Sequence, residues 1–231
     1  MRIKQFRYSS DNLGYLVCLE SVAVAIDGGA VNGILNFLKI NDIDLKFITN
    51  THGHADHTVG NKSLLQNSKA ELIDPRNIEK GSLNLNGKDI QVFPTPGHTL
   101  DSVIFKIGNN LITGDTLFIG KVGRCFSGDV MGFLKSINLI MDFPPDTVFY
   151  PGHDYVEEYM GFIKGLEPDN GYVDMFLKKY NPDRICSTIG EELKLNPFLR
   201  FNHPEIVSIL KERGLPADNE PDRWRSMMSL M

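Results

Sequence analysis

Three of the chain's six histidines fall within six residues, His52-Gly53-His54-Ala55-Asp56-His57. A short apolar segment, residues 45–49, leads into this run and reads as a buried strand, so the run is expected in a loop at a strand's carboxyl end. In an extended or looped segment residues i and i+2 share one side, whereas a helix would separate them. His52 and His54 can then reach one ion, while Asp56 and His57, after the chain bends, face a second. Gly53 and Ala55 leave room for that turn. Imidazole and carboxylate without thiolate are donors suited to zinc, iron or manganese. The alternative is a surface cluster or an affinity tag, but a tag does not sit in mid-sequence with an aspartate inside it.

Three further segments share one design, a short apolar strand running into a glycine and then a ligand-type side chain. They are Val92-Phe93-Pro94-Thr95-Pro96-Gly97-His98, Leu111-Ile112-Thr113-Gly114-Asp115 and Val148-Phe149-Tyr150-Pro151-Gly152-His153. Singly, each reads as a turn or cap. Jointly they leave His203 as the one histidine outside the pattern, and they demand a fold that brings several strand ends to one rim, where active sites collect.

The rest of the chain supplies such strands. Segments 3–8, 14–19 and 21–26 read as strands closed by the turn chemistry of Asp27-Gly28-Gly29. Residues 30–40 place Val31, Ile34, Leu35 and Leu38 at helical spacing. A helix is expected near 59–67, short strands at 71–73, 90–93, 102–107, 110–113 and 147–150, and a helix at 133–141. Beyond His153 the chain reads as mainly helical, with a capping box at Thr188-x-x-Glu191 and helix start and stop signals from Pro204 to Gly214. Strand blocks interleaved with helices predict two packed sheets with helices outside.

Length and composition set the bounds. At 231 residues and 42% apolar, the chain can bury a sizeable core as one domain, with or without an appendage. A formal charge of -5 provides no basic excess for nucleic acid. The amino-terminal stretch alternates apolar and charged residues without a signal-like apolar core, and no apolar run approaches the ~20 residues of a membrane span. Cys18, Cys125 and Cys186 are odd in number and scattered, which argues against a disulfide framework and for a cytoplasmic location.

The order of Thr51-His52-x-His54-x-Asp56-His57, Pro96-Gly97-His98-Thr99, Thr113-Gly114-Asp115-Thr116-Leu117-Phe118 and Pro151-Gly152-His153 resembles the metallo-β-lactamase superfamily, over about residues 13–200. That resemblance implies an α/β fold, an αββα four-layer sandwich with a binuclear metal site at one edge. It places residues 1–167 in the catalytic domain and 168–231 in a short helical extension packing by the active site. By the same resemblance two divalent ions, zinc in first place with iron and manganese as alternatives, are held in two groups. One is His52, His54 and His98, the other Asp56, His57 and His153, and Asp115 bridges them.

Residue choices narrow the branch. Flavodiiron oxidoreductases carry Glu where this chain has His54, and typical binuclear β-lactamases carry Cys where it has Asp115. The stretches Gly114-Asp115-Thr116-Leu117-Phe118, Gly123-Arg124-Cys125-Phe126, Gly152-His153-Asp154-Tyr155 and Glu191–Arg200 are similar to glyoxalase II, the hydroxyacylglutathione hydrolases. The resemblance implies hydrolysis of a small-molecule acyl thioester by a metal-activated hydroxide, with Asp56 orienting the nucleophile and Arg124, Phe126 and Tyr155 binding the thiol carrier. Arg124 stands where that family has Lys, Phe126 where it has Tyr, and where it has a basic pair near the carboxyl terminus this chain ends Arg225-Ser226-Met227-Met228-Ser229-Leu230-Met231, either stopping early or with the basic clamp turned apolar, so that a different thioester or ester stands beside glutathione as the substrate. Two rival readings remain: a mononuclear iron persulfide dioxygenase of the same superfamily, and a non-enzymatic protein in which metal only staples the fold. Neither a nucleic-acid nor a membrane partner is expected, and the oligomeric state is left open.

Overall fold

The computed structural model describes residues 1–78 and 81–231. β1 (Arg2–Tyr8), β2 (Asn12–Leu19) and β3 (Val22–Ile26) form an antiparallel meander. Helix α1 (Val31–Asn41) then crosses over, so that β4 (Asp44–Thr49) lies parallel to β3, with the short β5 (Glu71–Leu72) outside it. Side-chain alternation assigns the two faces of this five-stranded sheet. Tyr15, Val17, Val22, Val24 and Ile26 join the main core, while Leu16, Cys18, Ala23 and Ala25 pack with Ile34 and Leu38 of α1. A register shift after Ala23 pairs Ala23 with Leu45 and Ala25 with Ile48, which turns both Leu45 and Ile48 toward α1 although they are three residues apart.

The second sheet has six strands in the order β13-β12-β9-β8-β7-β6. Its members are β6 (Ser82–Leu85), β7 (Lys88–Pro94), β8 (Val103–Ile107), β9 (Asn110–Gly114), β12 (Val148–Pro151) and β13 (Ser187–Thr188), with a small hairpin, β10 (Leu117–Phe118) and β11 (Lys121–Val122), after β9. β7 and β9 are both antiparallel to β8, and β12 is parallel to β9. Three strands of one sheet therefore run in the same direction and end on one rim.

Two expectations about the histidine run need correcting. The loop ends at His54; Ala55–Thr58 forms a single helical turn, α2, with extended His54 as its N-cap and Asp56 in its first turn, where a negative charge complements the exposed N–H groups. The helix expected near 59–67 is shorter, α3 (Asn61–Gln66), because the chain must first pass Gly60. A Cβ there would stand 2.1 Å from the Gly28 carbonyl oxygen, so only glycine admits the approach. Strands β6, β10, β11 and β13 were not expected; β10, β11 and β13 have two residues each, too few for a pattern of period two to register, whereas β6 does alternate, with Leu83 and Leu85 buried.

After His153 the chain is mainly helical, as expected, with β13 interposed: α4 (Val130–Met141) lies before it, and α5 (Val156–Leu166), α6 (Tyr172–Lys179), α7 (Ile189–Leu195), α8 (Pro204–Glu212) and α9 (Glu220–Met228) follow. The Thr188–Glu191 capping box is present at the start of α7. No described helix is long and apolar enough to cross a membrane. The helices share one apolar cluster with both sheets. Trp224 of α9 is fully buried, its ring 5.8 Å from Phe133 and 5.5 Å from Phe201, and its indole N–H donates to the Val130 carbonyl at 2.8 Å. Met227 is buried beside it, consistent with packing at helical spacing. Trp224→Ala removes this anchor and is expected to destabilise the protein by about 3–5 kcal/mol, read as a lower urea midpoint; an unchanged midpoint would mean that α9 does not hold the sheets.

Candidate metal centre

The strand directions deliver the side chains. His52 and His54 follow β4, His98 follows β7, Asp115 follows β9 and His153 follows β12, while Asp56 and His57 sit on α2. Their donor atoms gather in two groups: His52, His54, His98 and Asp115, and Asp56, His57 and His153, with the atoms of each group within 4.8 Å of one another. In the first group His54 Nδ1 lies 2.9 Å from His52 Nε2 and 3.1 Å from His98 Nε2. In the second, His57 Nε2 and His153 Nε2 are 3.2 Å apart, and Asp56 Oδ2 is 3.3 Å from His153 Nε2. Asp115 reaches both: one carboxylate oxygen is 3.3 Å from His57 Nε2, and the other is 3.5 Å from both His98 Nε2 and His153 Nε2. All seven residues named from the sequence are thus brought together.

Outer hydrogen bonds explain why these nitrogens point inward. His57 Nδ1 faces Asp27 Oδ2 at 3.0 Å, His153 Nδ1 faces Asp11 Oδ1 at 2.8 Å, His98 Nδ1 faces the Arg124 carbonyl at 3.0 Å and His52 Nδ1 faces Thr51 Oγ1 at 3.1 Å. With the proton on Nδ1 donated outward, each Nε2 presents a lone pair to the centre. Lone pairs about 3 Å apart repel unless a cation or proton lies between them. Asp115 Oδ1 is buried without a hydrogen-bond partner. The donor set therefore fits divalent metal ions. Packing is tight enough that a Cβ on Gly152 would fall 2.2 Å from Asp115 Oδ1.

Charge follows the same logic. Burial opposes a proton on His57, but Asp27 and Asp115 overcome it and push that imidazole up to about 11. Asp115 is held well below the carboxylate range against its own burial by His153 and His57. His52, by contrast, is lowered to about 4 by burial and by the charge on His57. In the metal-free protein, protons thus supply the positive charge that the carboxylates require.

Asp27, Asp11, Asn12 and Thr51 were missed as site residues. Asp27 was read as turn chemistry, yet it is fully buried and accepts from the Thr51 N–H at 2.8 Å and the Thr51 hydroxyl at 2.7 Å as well as facing His57. Its position at the end of β3, parallel to β4, was the available signal. Of the residues expected to bind substrate, Tyr155 stacks on His153 with ring centroids 4.9 Å apart and planes 5° apart. Phe126 is exposed, its ring 5.3 Å from that of His98. The Arg124 side chain is also exposed, and only its carbonyl touches the cluster.

Residues 14–84 and 72–153 match the family model of the metallo-beta-lactamase superfamily, and residues 154–230 match that of the hydroxyacylglutathione hydrolase C-terminus. A hydroxyacylglutathione hydrolase of Pseudoalteromonas translucida is 31% identical over 253 residues, covering 100% of this chain and 97% of the relative. That of Pelagibacter ubique is 32% identical over 234 residues, covering 92% and 98%. Among solved structures, ETHE1 from Myxococcus xanthus superposes with a TM-score of 0.70 at 24% identity over 99% of both chains. The BLEG-1 B3 metallo-beta-lactamase gives 0.65 at 22%, over 86% of this chain and 99% of the other. At those identities the structures speak for the fold.

Because a cation at His57 Nε2 must displace the proton there, loading the metal-free protein near neutral pH should release protons. The sign is fixed by the raised value: this proton's stabilisation of the metal-free fold is complete below pH 6.5 and lost as pH rises through about 11. Calorimetric zinc titrations in buffers of different ionisation enthalpy measure the release; binding without it would contradict the charge assignment.

Proposed function

Because the chain belongs to the metallo-beta-lactamase superfamily, as a metal-dependent hydrolase related to hydroxyacylglutathione hydrolases, we propose that it cleaves a small-molecule acyl thioester of the hydroxyacylglutathione type. The observation that carries this reading is the pair of inward-facing donor groups joined by Asp115. We assign His52, His54 and His98 to one ion, Asp56, His57 and His153 to a second, and Asp115 to both. Bound divalent ions, with zinc the first choice and iron or manganese accepted by the same donors, supply Lewis acidity toward the acyl carbonyl and a water deprotonated near neutral pH.

The chain's own residues do the rest. Asp56 keeps its side chain 47% exposed while its Oδ2 accepts from Asn12, which leaves an oxygen able to accept from the attacking water and orient it. Tyr155, flat against His153, walls the side of the second group. Arg124 supplies a guanidinium for a carboxylate of the thiol carrier, and Phe126 offers a ring face to its chain. A structural role for the metals is disfavoured, since structural sites are closed and four-coordinate, whereas these seven donors include an exposed carboxylate. A mononuclear iron persulfide dioxygenase is the second reading. Its support is that two histidines of the first group with Asp115 make a two-His-one-carboxylate set.

Elemental analysis beside a panel of acyl thioesters, lactones and glutathione persulfide separates these readings. Two ions per chain and thioester cleavage abolished by chelation are expected; one iron with oxygen uptake on the persulfide would overturn the hydrolase reading. Asp115→Ala should lose metal and activity together. Arg124→Ala should raise KM about tenfold with kcat little changed, and an unaltered KM would remove Arg124 from substrate binding.

A further inference from the structure

The inward donors are braced by two kinds of partner, and the division follows the two groups. Around His52 and His98 the outer partners are neutral oxygens, the Thr51 hydroxyl and the Arg124 carbonyl. Around the other group they are polar side chains of the amino-terminal sheet. Asp27 faces His57, Asp11 Oδ1 takes His153 Nδ1 at 2.8 Å, and Asn12 Nδ2 donates to Asp56 Oδ2 at 2.9 Å.

Asp11 and Asn12 are consecutive residues where the β1–β2 turn enters β2, and the backbone locks them to the same place. The Leu13 N–H donates to the Gly152 carbonyl at 2.8 Å, the Asp154 N–H donates to the Asp11 carbonyl at 3.0 Å, and Asn12 forms a bridge with His153. Asn12 is 5% exposed, and its Nδ2 also lies 3.5 Å from His153 Nε2. The Tyr8 hydroxyl, at the other end of the turn, donates to the Asp56 carbonyl oxygen at 3.0 Å. One turn thus grips both Asp56 and His153, and among the described residues no side-chain hydrogen bond links it to His52, His54 or His98.

We propose that the Asp11–Asn12 pair is a positioning device for the second ion alone, an inference that rests on the two-ion reading above. Asp56 is half-exposed, and the Asn12 amide holds the rotamer that turns Oδ2 toward His57 and His153. A carboxylate at position 12 could not donate and would repel Asp56, which explains the carboxamide. Asp11 fixes the His153 tautomer and makes its Nε2 a more basic donor. The amino-terminal turn therefore governs occupancy of one position while the other is built without it.

The test uses the full chain with the metal removed, then titrated with zinc or cobalt(II). Stoichiometry is read by elemental analysis after gel filtration, affinity by calorimetry and ligand geometry by the cobalt(II) visible spectrum. Wild type should take two ions. Asn12→Ala and Asp11→Ala should keep one tight ion and bind the other about 10–100-fold more weakly. The milder Asp11→Asn, which retains an acceptor for His153 Nδ1, should fall between and covers the case in which an alanine variant does not fold. Equal weakening of both ions, or two ions at unchanged affinity in the folded variants, would overturn the inference alone. A wild type that holds a single ion would overturn the two-ion reading and this inference with it.

Discussion

The structure depends on a set of imidazoles whose outer nitrogens are already committed. Asp27, Asp11, Thr51 and the Arg124 carbonyl each occupy an Nδ1, which leaves the Nε2 atoms of His57, His153, His52 and His98 turned inward around the Asp115 carboxylate. Polypeptide chemistry resolves such crowding only with protons or metal. Asp27 is the hub, since it faces His57 and holds the Thr51 that supports His52, so its carboxylate spans both groups.

Topology makes the crowding possible. In the second sheet β7, β9 and β12 run one way, so His98, Asp115 and His153 emerge on the same rim, with β8 between β7 and β9. From the first sheet, β4 delivers His52 and His54, and the helical turn after them brings in Asp56 and His57. Rigid strands place the ligands, and the loops they end in, with Gly152 pressed against Asp115, allow the close approach. The donors gather at the rim, while α4 to α9 share an apolar cluster with both sheets.

Much of this was legible in the chain. The 52–57 run named four of the donors and the strand–glycine–ligand repeats the other three, because a ligand must be a particular residue type at or just beyond a strand end, and both requirements are written locally. The strand segments at 14–19 and 21–26 and the helical spacing at 30–40 announced sheets with helices packed outside them. The outer partners were not legible. Asp11, Asn12 and Asp27 look like ordinary turn residues, and only the pairing of β2 with β3, of β3 with β4 and of Asn12 with His153 carries them to the centre. The helical turn at Ala55–Thr58 and the interruption at Gly60 likewise arise from contacts distant in sequence. The two-residue strands exist because neighbours pair with them, not because of their own pattern.

The most direct test of the central claim is anomalous X-ray diffraction at the zinc, iron and manganese edges from crystals of the purified protein. Convergence of the seven donors predicts two peaks, one among His52, His54 and His98 and one among Asp56, His57 and His153, with Asp115 between them. A lone peak enclosed by four protein ligands with no open position, or no peak at the rim, would contradict it.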